Sequence, residues 1–327
     1  MPYRVAIIGA GIISRNHLNA MKQMTALRAV AVADIDEMRG RTVSEEYSIA
    51  YYDNYREMIL TEQPEIAILA LPHFLHEECA VWCAAQGCHL LLEKPMALNI
   101  QQCDAILEAV KAAGVKLMVG HTQHYWPANL QAKALIDSGE LGKLIAIHDT
   151  RHVYYFSDSR PDWFLDKEKA GGGIMMNLGA HSIDKIQWLT RSRVTKVKAS
   201  LSYEGVRGNV EGSGCIFLET TKGVTGIVVQ SGYAGVPKDE TELIFERGMI
   251  RLISARGVWI NRVGQYVMLE PQVSSDPFVL QFEDLLQAIE QDAETDSSGE
   301  YARSVIAALE AVYRSDETGV EQTVDGE

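Results

Sequence analysis

No apolar stretch in the 327-residue chain approaches the roughly 20 residues that a bilayer demands, so a membrane-spanning helix is not expected. Positive charge is scarce: 30 Lys and Arg against 44 Asp and Glu leave a formal charge of −14. That balance argues against a nucleic-acid partner, whose phosphates need a basic footprint, and against an anionic membrane surface. Cysteine is sparse too. Cys79, Cys83, Cys88, Cys103 and Cys215 make an odd count without the paired spacing of a zinc site. Cys79 and Cys83 share a helical face, but in an alanine-rich helix a free thiol packs as a small hydrophobe, and no metal is expected. Internal repeats and low-complexity linkers are missing. Met1-Pro2-Tyr3-Arg4 leads straight into an apolar run with no room for a signal peptide, which predicts a cytoplasmic protein.

What is present is an ordinary globular composition, 47% hydrophobic and 23% charged, in a chain long enough for two domains. Its first third alternates short apolar runs with amphipathic stretches. Runs at 5–8, 30–33, 66–70, 89–92 and 117–119 have the unbroken apolar character of strands buried on both faces. Stretches 15–24, 37–47, 55–61, 77–86 and 100–113 read as helices, with Gly87 and Gly114 closing the last two. Repeated strand–helix units with buried strands predict a doubly wound parallel sheet, a Rossmann α/β domain over residues 1–122. Then the grammar changes. Helix 127–138, strand 144–151, an aromatic and charged loop 152–170 and helix 174–189 come first. Alternation at 194–203 and glycine-punctuated runs at 214–219, 226–230, 242–245 and 249–253 predict an open, mostly antiparallel sheet. Helices 278–288 and 301–313 close an α+β second domain, residues 123–327.

The first apolar run enters Gly9-Ala10-Gly11-Ile12-Ile13-Ser14. Gly9 permits a tight turn and Gly11 a close approach to a pyrophosphate. The amides of Ile12 and Ile13 then open a helix toward the phosphate oxygens. Ser14 stands where Gly or Ala is usual. Asp34 ends the second apolar run, placed to bind a ribose hydroxyl. The combination predicts a dinucleotide site. Asp34 and Asp36 favour NAD over NADP, whose 2′-phosphate they repel, with Arg39 and Arg41 as opposing charges.

Four further segments are placed for chemistry. Leu71-Pro72-His73-Phe74-Leu75-His76 follows the third buried run, near where a nicotinamide would lie. Leu71, Pro72, His73 and His76 are its cofactor candidates, against the alternative of His76 as a first-turn polar residue. Glu93-Lys94-Pro95 ends the fourth run, with Pro95 bracing Lys94 at a strand's carboxyl end. Gly171-Gly172-Gly173 reads as a flexible, close-approach start to a helix that is apolar nearly all round. Asn177, His181 and Asp184 then fall on one face of it, at i, i+4 and i+7. Gln123-His124-Tyr125-Trp126-Pro127 opens the second domain, where substrate wall and hinge packing both fit. Asn177, His124, Tyr125, Trp163 and Asp184 make up the candidate substrate set.

These features resemble the Gfo/Idh/MocA family, named for glucose–fructose oxidoreductase and inositol dehydrogenase. The resemblance runs from the Gly9 loop to Gly299-Glu300 and is most specific in Glu93-Lys94-Pro95 and the segment from Gly171 to Asp184. It implies a nicotinamide-dependent dehydrogenase acting on a secondary hydroxyl of a sugar or cyclic polyol, with Lys94 and His181 as the catalytic pair. Such a reaction sends a hydride to the nicotinamide and a proton to a base. His181 suits that base, or Lys94 with its pKa lowered, and Asp184 is placed to orient His181. Asn177 departs from the family's common Asp, and Gln123-His124 from a frequent arginine-containing pair. Two other classes stay open: a sugar-sensing protein without turnover, and a glycosidase that uses a held NAD for transient oxidation. The apolar runs Cys215-Ile216-Phe217-Leu218 and Ile227-Val228-Val229 imply burial on both faces, and with the resemblance predict a homodimer or homotetramer built through the open sheet.

Overall fold

The structure, a computed structural model, describes residues 1–205, 207–262, 264–271 and 275–324. It divides into two compact units, Met1–His121 with Ser275–Arg303, and Thr122–Ser274 with Ser304–Glu327.

The first unit is a six-stranded sheet in the order β3-β2-β1-β4-β5-β6, every neighbour parallel. Its strands are β1 (Tyr3–Ile8), β2 (Leu27–Ala33), β3 (Ala50–Tyr52), β4 (Ile66–Leu69), β5 (His89–Leu92) and β6 (Leu117–Val119). Helices α1 (Ile12–Met21), α2 (Glu37–Tyr47), α3 (Tyr55–Glu62), α4 (His76–Ala85) and α5 (Ile100–Ala113) connect them. Val5, Ala6, Ile7, Ile66, Ala67, Ile68 and Leu69 are fully buried, as unbroken apolar strands covered on both faces must be. The strand order reverses between β1 and β4, so the loops after these two strands flank a crevice at the sheet's carboxyl edge. Side chains of Asp36, Asn54 and Asn99 cap α2, α3 and α5. Gly87 and Gly114 end α4 and α5 with φ of +82 and +66.

One expected assignment changes here. Residues 123–327 read as a single second domain, yet the helix Pro277–Gln291 packs with the first unit. Its stripe Val279, Phe282, Leu285 and Leu286 enters the same core as Val5, Ile7, Leu18 and Met21.

The second unit is built on a nine-stranded sheet in the order β14-β13-β12-β11-β7-β10-β9-β8-β15. It opens with α6 (Pro127–Ser138), β7 (Leu144–His152), a short α7 (Lys167–Ala170) and α8 (Ala180–Thr190). The strands β8 (Val194–Ser202), β9 (Ser213–Thr220), β10 (Thr225–Ser231), β11 (Lys238–Phe245), β12 (Gly248–Ile253), β13 (Gly257–Arg262) and β14 (Gln265–Met268) follow. The chain next supplies α9 (Pro277–Gln291) to the first unit. The unit boundary falls within α10 (Gly299–Thr318), and β15 (Gln322–Thr323) ends the described chain. The sheet is antiparallel except for the parallel pair β7–β10. One face is core, with Ile147, Leu218, Val228 and Leu243 fully buried. The other is open: Phe217 is 42% and Ile227 39% exposed, where apolar runs had predicted cover on both sides. Among the described residues no helix is long and apolar enough to cross a membrane.

Candidate active site

The chain leaves β1 through Gly9, whose φ is +99 and whose added Cβ would stand 2.3 Å from the Ala70 carbonyl oxygen. Only glycine fits there. Gly11 is different, because nothing lies within 4 Å of the position its Cβ would take. The fold leaves that space open, and it is the cradle a pyrophosphate needs. Gly11 caps α1 without a side-chain hydrogen bond, and the first turn carries no acid, so the helix's positive end faces an anion without competition. Ile12 is 88% exposed beside this cradle, and Ser14 is buried with its hydroxyl donating to the Gly11 carbonyl at 2.6 Å. That inward bond is how the chain accepts Ser at this position.

Asp34 ends β2 and is joined directly to the loop: the Ala10 amide donates to its Oδ2 at 2.7 Å. The Asp36 amide donates to Oδ1 at 2.8 Å, and Arg39 reaches both oxygens at 2.9 and 2.6 Å. Burial raises the Asp34 pKa, but Arg39 and the two amides outweigh it and hold the carboxyl below its usual range. Arg41 is engaged elsewhere, donating to Glu37 at 2.7 Å.

The loops after β4 and β5 are tied together by one ring. His76 is fully buried, with Nδ1 2.9 Å from the Pro95 carbonyl oxygen and Nε2 2.9 Å from that of Leu71. Both ring nitrogens are spent on backbone, so this expected cofactor residue is placed as a strut between the Leu71-Pro72 and Lys94-Pro95 segments. Burial lowers its pKa against the pull of those carbonyls and of Glu93. His73 lies beside it, ring centroids 5.8 Å apart. Glu93 is buried and accepts from His17 Nε2 at 2.9 Å, and a Cβ at Gly120 would crowd its carboxylate at 3.1 Å. Burial raises the Glu93 pKa, while His17, Lys94 and His76 together bring it below the ordinary value. Lys94 follows at the carboxyl end of β5, partly exposed, before a cis bond to Pro95.

In the second unit the glycine run is packed rather than flexible. A Cβ on Gly172 would meet the Tyr313 hydroxyl at 1.9 Å, and one on Gly173 the Glu211 carbonyl oxygen at 2.2 Å. The Glu211 carboxylate, 1% exposed, accepts from the Gly173 amide at 2.8 Å, the Met175 amide at 2.9 Å and the Tyr313 hydroxyl at 2.9 Å. A buried acid thus holds the start of the helical segment. That segment begins as a π turn, Met175–Gly179, before becoming α8. Asn177 sits in the π turn, and His181 and Asp184 sit in α8, so the simple i, i+4, i+7 face is broken between the first two.

Asp184 is fully buried and accepts from His124 Nε2 at 2.7 Å and from the Gln123 amide, which also donates to the His181 carbonyl at 2.7 Å. His124 is fully buried and stacked on Trp188, centroids 4.7 Å apart, and Tyr125 is 8% exposed. Deeper in α8, Lys185 meets Asp149 at 3.1 Å and Asp239 at 3.4 Å, while Ser182 and Thr241 donate to Asp149. Burial raises the Asp149 pKa, but Lys185, Arg151 and the hydroxyls win and hold it at about 2. Trp163 is stacked on Phe164 with centroids 3.7 Å apart. Among the described residues no group of His, Cys, Asp and Glu is arranged to hold a metal.

Residues 3–121 match the model of an oxidoreductase family with an NAD-binding Rossmann fold, and residues 129–251 match that family's C-terminal domain. The chain belongs to the Gfo/Idh/MocA oxidoreductase family. Among its relatives, a 2,7-anhydro-N-acetylneuraminate hydratase of Mediterraneibacter gnavus is 29% identical over 203 residues, 61% of this chain and 53% of that protein. A 1-carboxy-3-chloro-3,4-dihydroxycyclohexa-1,5-diene dehydrogenase of Comamonas testosteroni is 27% identical over 72% of this chain and 60% of its own length. The matches thus span between half and two thirds of these two proteins. An inositol 2-dehydrogenase of Salmonella typhimurium is 25% identical over 99% of this chain and 97% of that protein. In fold, an aldose-aldose oxidoreductase from Caulobacter crescentus superposes with a TM-score of 0.90 at 24% identity, covering 99% of this chain and 100% of that one.

Within this Gfo/Idh/MocA chain, four buried polar residues escaped the sequence reading: His17 in the first unit, and Glu211, Asp149 and Lys185 in the second. His17 had a signal. Ser14, His17, Leu18 and Met21 form the buried i, i+3, i+4, i+7 stripe of α1, so two polar residues face a core and demand partners. The other three pair across long stretches of sequence and carry no local mark.

Proposed function

We propose that this protein oxidises a secondary hydroxyl of a sugar or cyclic polyol with NAD as its cofactor. The observation that carries the reading is the open cradle at Gly11, bonded through Ala10 to Asp34, in a chain of an NAD-binding oxidoreductase family. The inositol 2-dehydrogenase relative, matched over 99% of this chain, supports a ring bearing neighbouring hydroxyls. The amides of Ile12 and Ile13 would hold the pyrophosphate, Asp34 the ribose hydroxyls, and the Leu71–His73 and Glu93–Lys94 segments the nicotinamide end. When bound, the cofactor supplies the hydride acceptor. Lys94 holds the reacting hydroxyl oxygen through its ammonium, and His181 takes the proton as a neutral imidazole. Asn177 holds a neighbouring hydroxyl without accepting a proton. The buried free thiols Cys79, Cys83, Cys88 and Cys103 suit the reducing cytoplasm in which we place the reaction.

The test is reduction of NAD, followed by absorbance, across a panel of inositols, hexoses and sugar acids. Lys94→Ala and His181→Ala are each expected to lower kcat by about 10²–10⁴-fold, the usual weight of an acid–base group, while the NAD dissociation constant moves little. Near-normal turnover in both variants rejects the assignments.

A further inference from the structure

The loop between β7 and α7 carries a cation with no anion. The guanidinium of Arg160 lies 3.9 Å from the ring centroid of Tyr155 and 5.1 Å from that of Phe164. Phe164 is itself stacked on Trp163. The result is a layered arrangement of ring, guanidinium, ring and ring. The Arg160 Nε donates to the Tyr155 carbonyl, which fixes the plane and leaves the two terminal amino groups as an unused fork. Among the described residues no carboxylate lies within ion-pair distance of it. Two acids of the same loop are answered by other cations, Asp162 by Arg207 at 2.6 Å and Asp166 by Lys169 at 3.2 Å, and Asp158, two residues before Arg160, makes no ion pair with it. Burial accordingly pulls the Arg160 pKa down, with only Tyr155 opposing.

A half-buried guanidinium has lost part of its hydration, and aromatic faces return only part of it. A planar anion restores the rest, and the fork geometry matches a carboxylate through two parallel bonds. The position ties this to the substrate. Tyr155, on whose face Arg160 rests, is fully buried, and its hydroxyl is raised to about 12 by burial, opposed by the Asn177 amide and by Arg160. Tyr155 also borders the start of the helical segment that carries Asn177, since a Cβ on Gly232 would stand 2.6 Å from the Tyr155 Cβ and 3.3 Å from the Ile174 Cδ1.

We propose that Arg160 is a specificity-determining residue that binds a carboxylate on the substrate, so that the substrate is a sugar acid rather than a neutral polyol. The assignment rests on the dehydrogenase reading for the place of Asn177. Because the fork is already held by Tyr155 and Phe164, little rotamer entropy is lost on binding.

The experiment uses the full chain with NAD and matched pairs: glucose with glucuronate, galactose with galacturonate, and each hexose 6-phosphate. Wild type should favour the acid of at least one pair by about tenfold or more in kcat/KM, the weight of one charge-assisted bidentate bond. Arg160→Gln should collapse that ratio toward one, chiefly through KM, and Arg160→Lys should recover only part of it, since an ammonium keeps the charge without the fork. Equal or greater activity on the neutral partners overturns the proposal, as does a preference for the phosphates. It also fails if Arg160→Gln slows both members of a pair equally, as loss of the Tyr155 latch alone would do. If no pair is oxidised, the dehydrogenase reading fails separately, and calorimetric titration of the same acids onto NAD-loaded protein decides Arg160. Acid binding that is lost in Arg160→Gln supports the proposal, and no acid binding overturns it.

Discussion

Asp34 does two jobs with one carboxylate. In the function proposed above it binds a ribose, and it holds Ala10, Asp36 and Arg39 in position. Arg39 is therefore neutralised chiefly by Asp34, with Asp36 at 3.6 Å as a weaker second partner. Asp34→Ala removes a charge that repels a 2′-phosphate and releases a guanidinium that attracts one. The NADP-to-NAD ratio of kcat/KM should then rise by about tenfold or more, as expected for a freed charge-assisted pair. An unchanged ratio in steady-state assays with both cofactors would remove Asp34 from cofactor selection. A second residue-scale expectation concerns Asp149. Its carboxyl ionises at about 2 in the fold, against 3.8 ordinarily, so on acidification the unfolded chain binds this proton first. The stability it contributes is present above 3.8 and is lost as pH falls toward 2. The sum is about 2 kcal/mol by the usual conversion of a pKa shift. Asp149→Asn alone leaves the buried Lys185 with Asp239 as its remaining carboxylate and should cost about 3 kcal/mol at neutral pH, the lower end for a broken buried pair. The double replacement Asp149→Asn with Lys185→Met should remove that acid slope from urea-unfolding curves taken at a series of pH values. A slope identical to wild type would show that other carboxylates set the acid limit.

Glu211 and the glycines before α8 make one element-scale device, a helix start locked from outside its own sequence. Gly173→Ala places a methyl 2.2 Å from the Glu211 carbonyl oxygen, so either the π turn or the 211 segment must move. Overpacking of this kind costs about 1–3 kcal/mol. The expected signature is a lower Tm together with a fall in kcat, as Asn177 and His181 shift, and an NAD affinity close to wild type, since the nucleotide loop belongs to the other unit. Unchanged kcat would show that the helix start does not position these residues. Legibility followed the same division. Strands β1, β2, β4, β5 and β6 were readable because burial on both faces leaves only apolar residues. The three-residue β3, β13 with its short run Val258-Trp259-Ile260, the polar-edged β14 and the two-residue β15 went unseen. Helix α9 was recognisable as amphipathic, but a stripe says that a face is buried and not against what, so its place in the first unit was hidden. The Gly9 turn was readable because a backbone at positive φ, pressed against the Ala70 carbonyl, admits only glycine. His17 with Glu93, Glu211 with Gly173, and Lys185 with Asp149 are long-range pairs that only the fold brings together.

At the scale of the whole molecule the open face of the nine-stranded sheet is the feature without an occupant. Cross-strand neighbours Phe217 and Ile227, with Cys215 and Val229 beside them, form an apolar centre on β9 and β10. Phe217 and Ile227 are 42% and 39% exposed, which water alone does not favour for a directly paired aromatic and aliphatic side chain. Lys196 and Lys198 flank this centre on β8, and the bonded pair Glu240–Arg251 lies farther across the sheet. An apolar middle with a charged surround is the anatomy of an interface. At −14 net charge two copies repel each other, and the lysines of β8 make this face less acidic than the chain as a whole. We therefore propose a homodimer, or a tetramer built from it, joined through this face, with an isologous twofold contact that covers Phe217 and Ile227. Light scattering at micromolar concentration should give a multiple of the 36.2 kDa chain mass, and Phe217→Asp with Ile227→Asp should reduce it to one chain without loss of fold. A wild-type monomer at that concentration would refute the proposal. An oligomer that survives both aspartates would place the contact elsewhere, since two buried, unpaired carboxylates on each side of a twofold interface cost more than a dimer of this size can absorb.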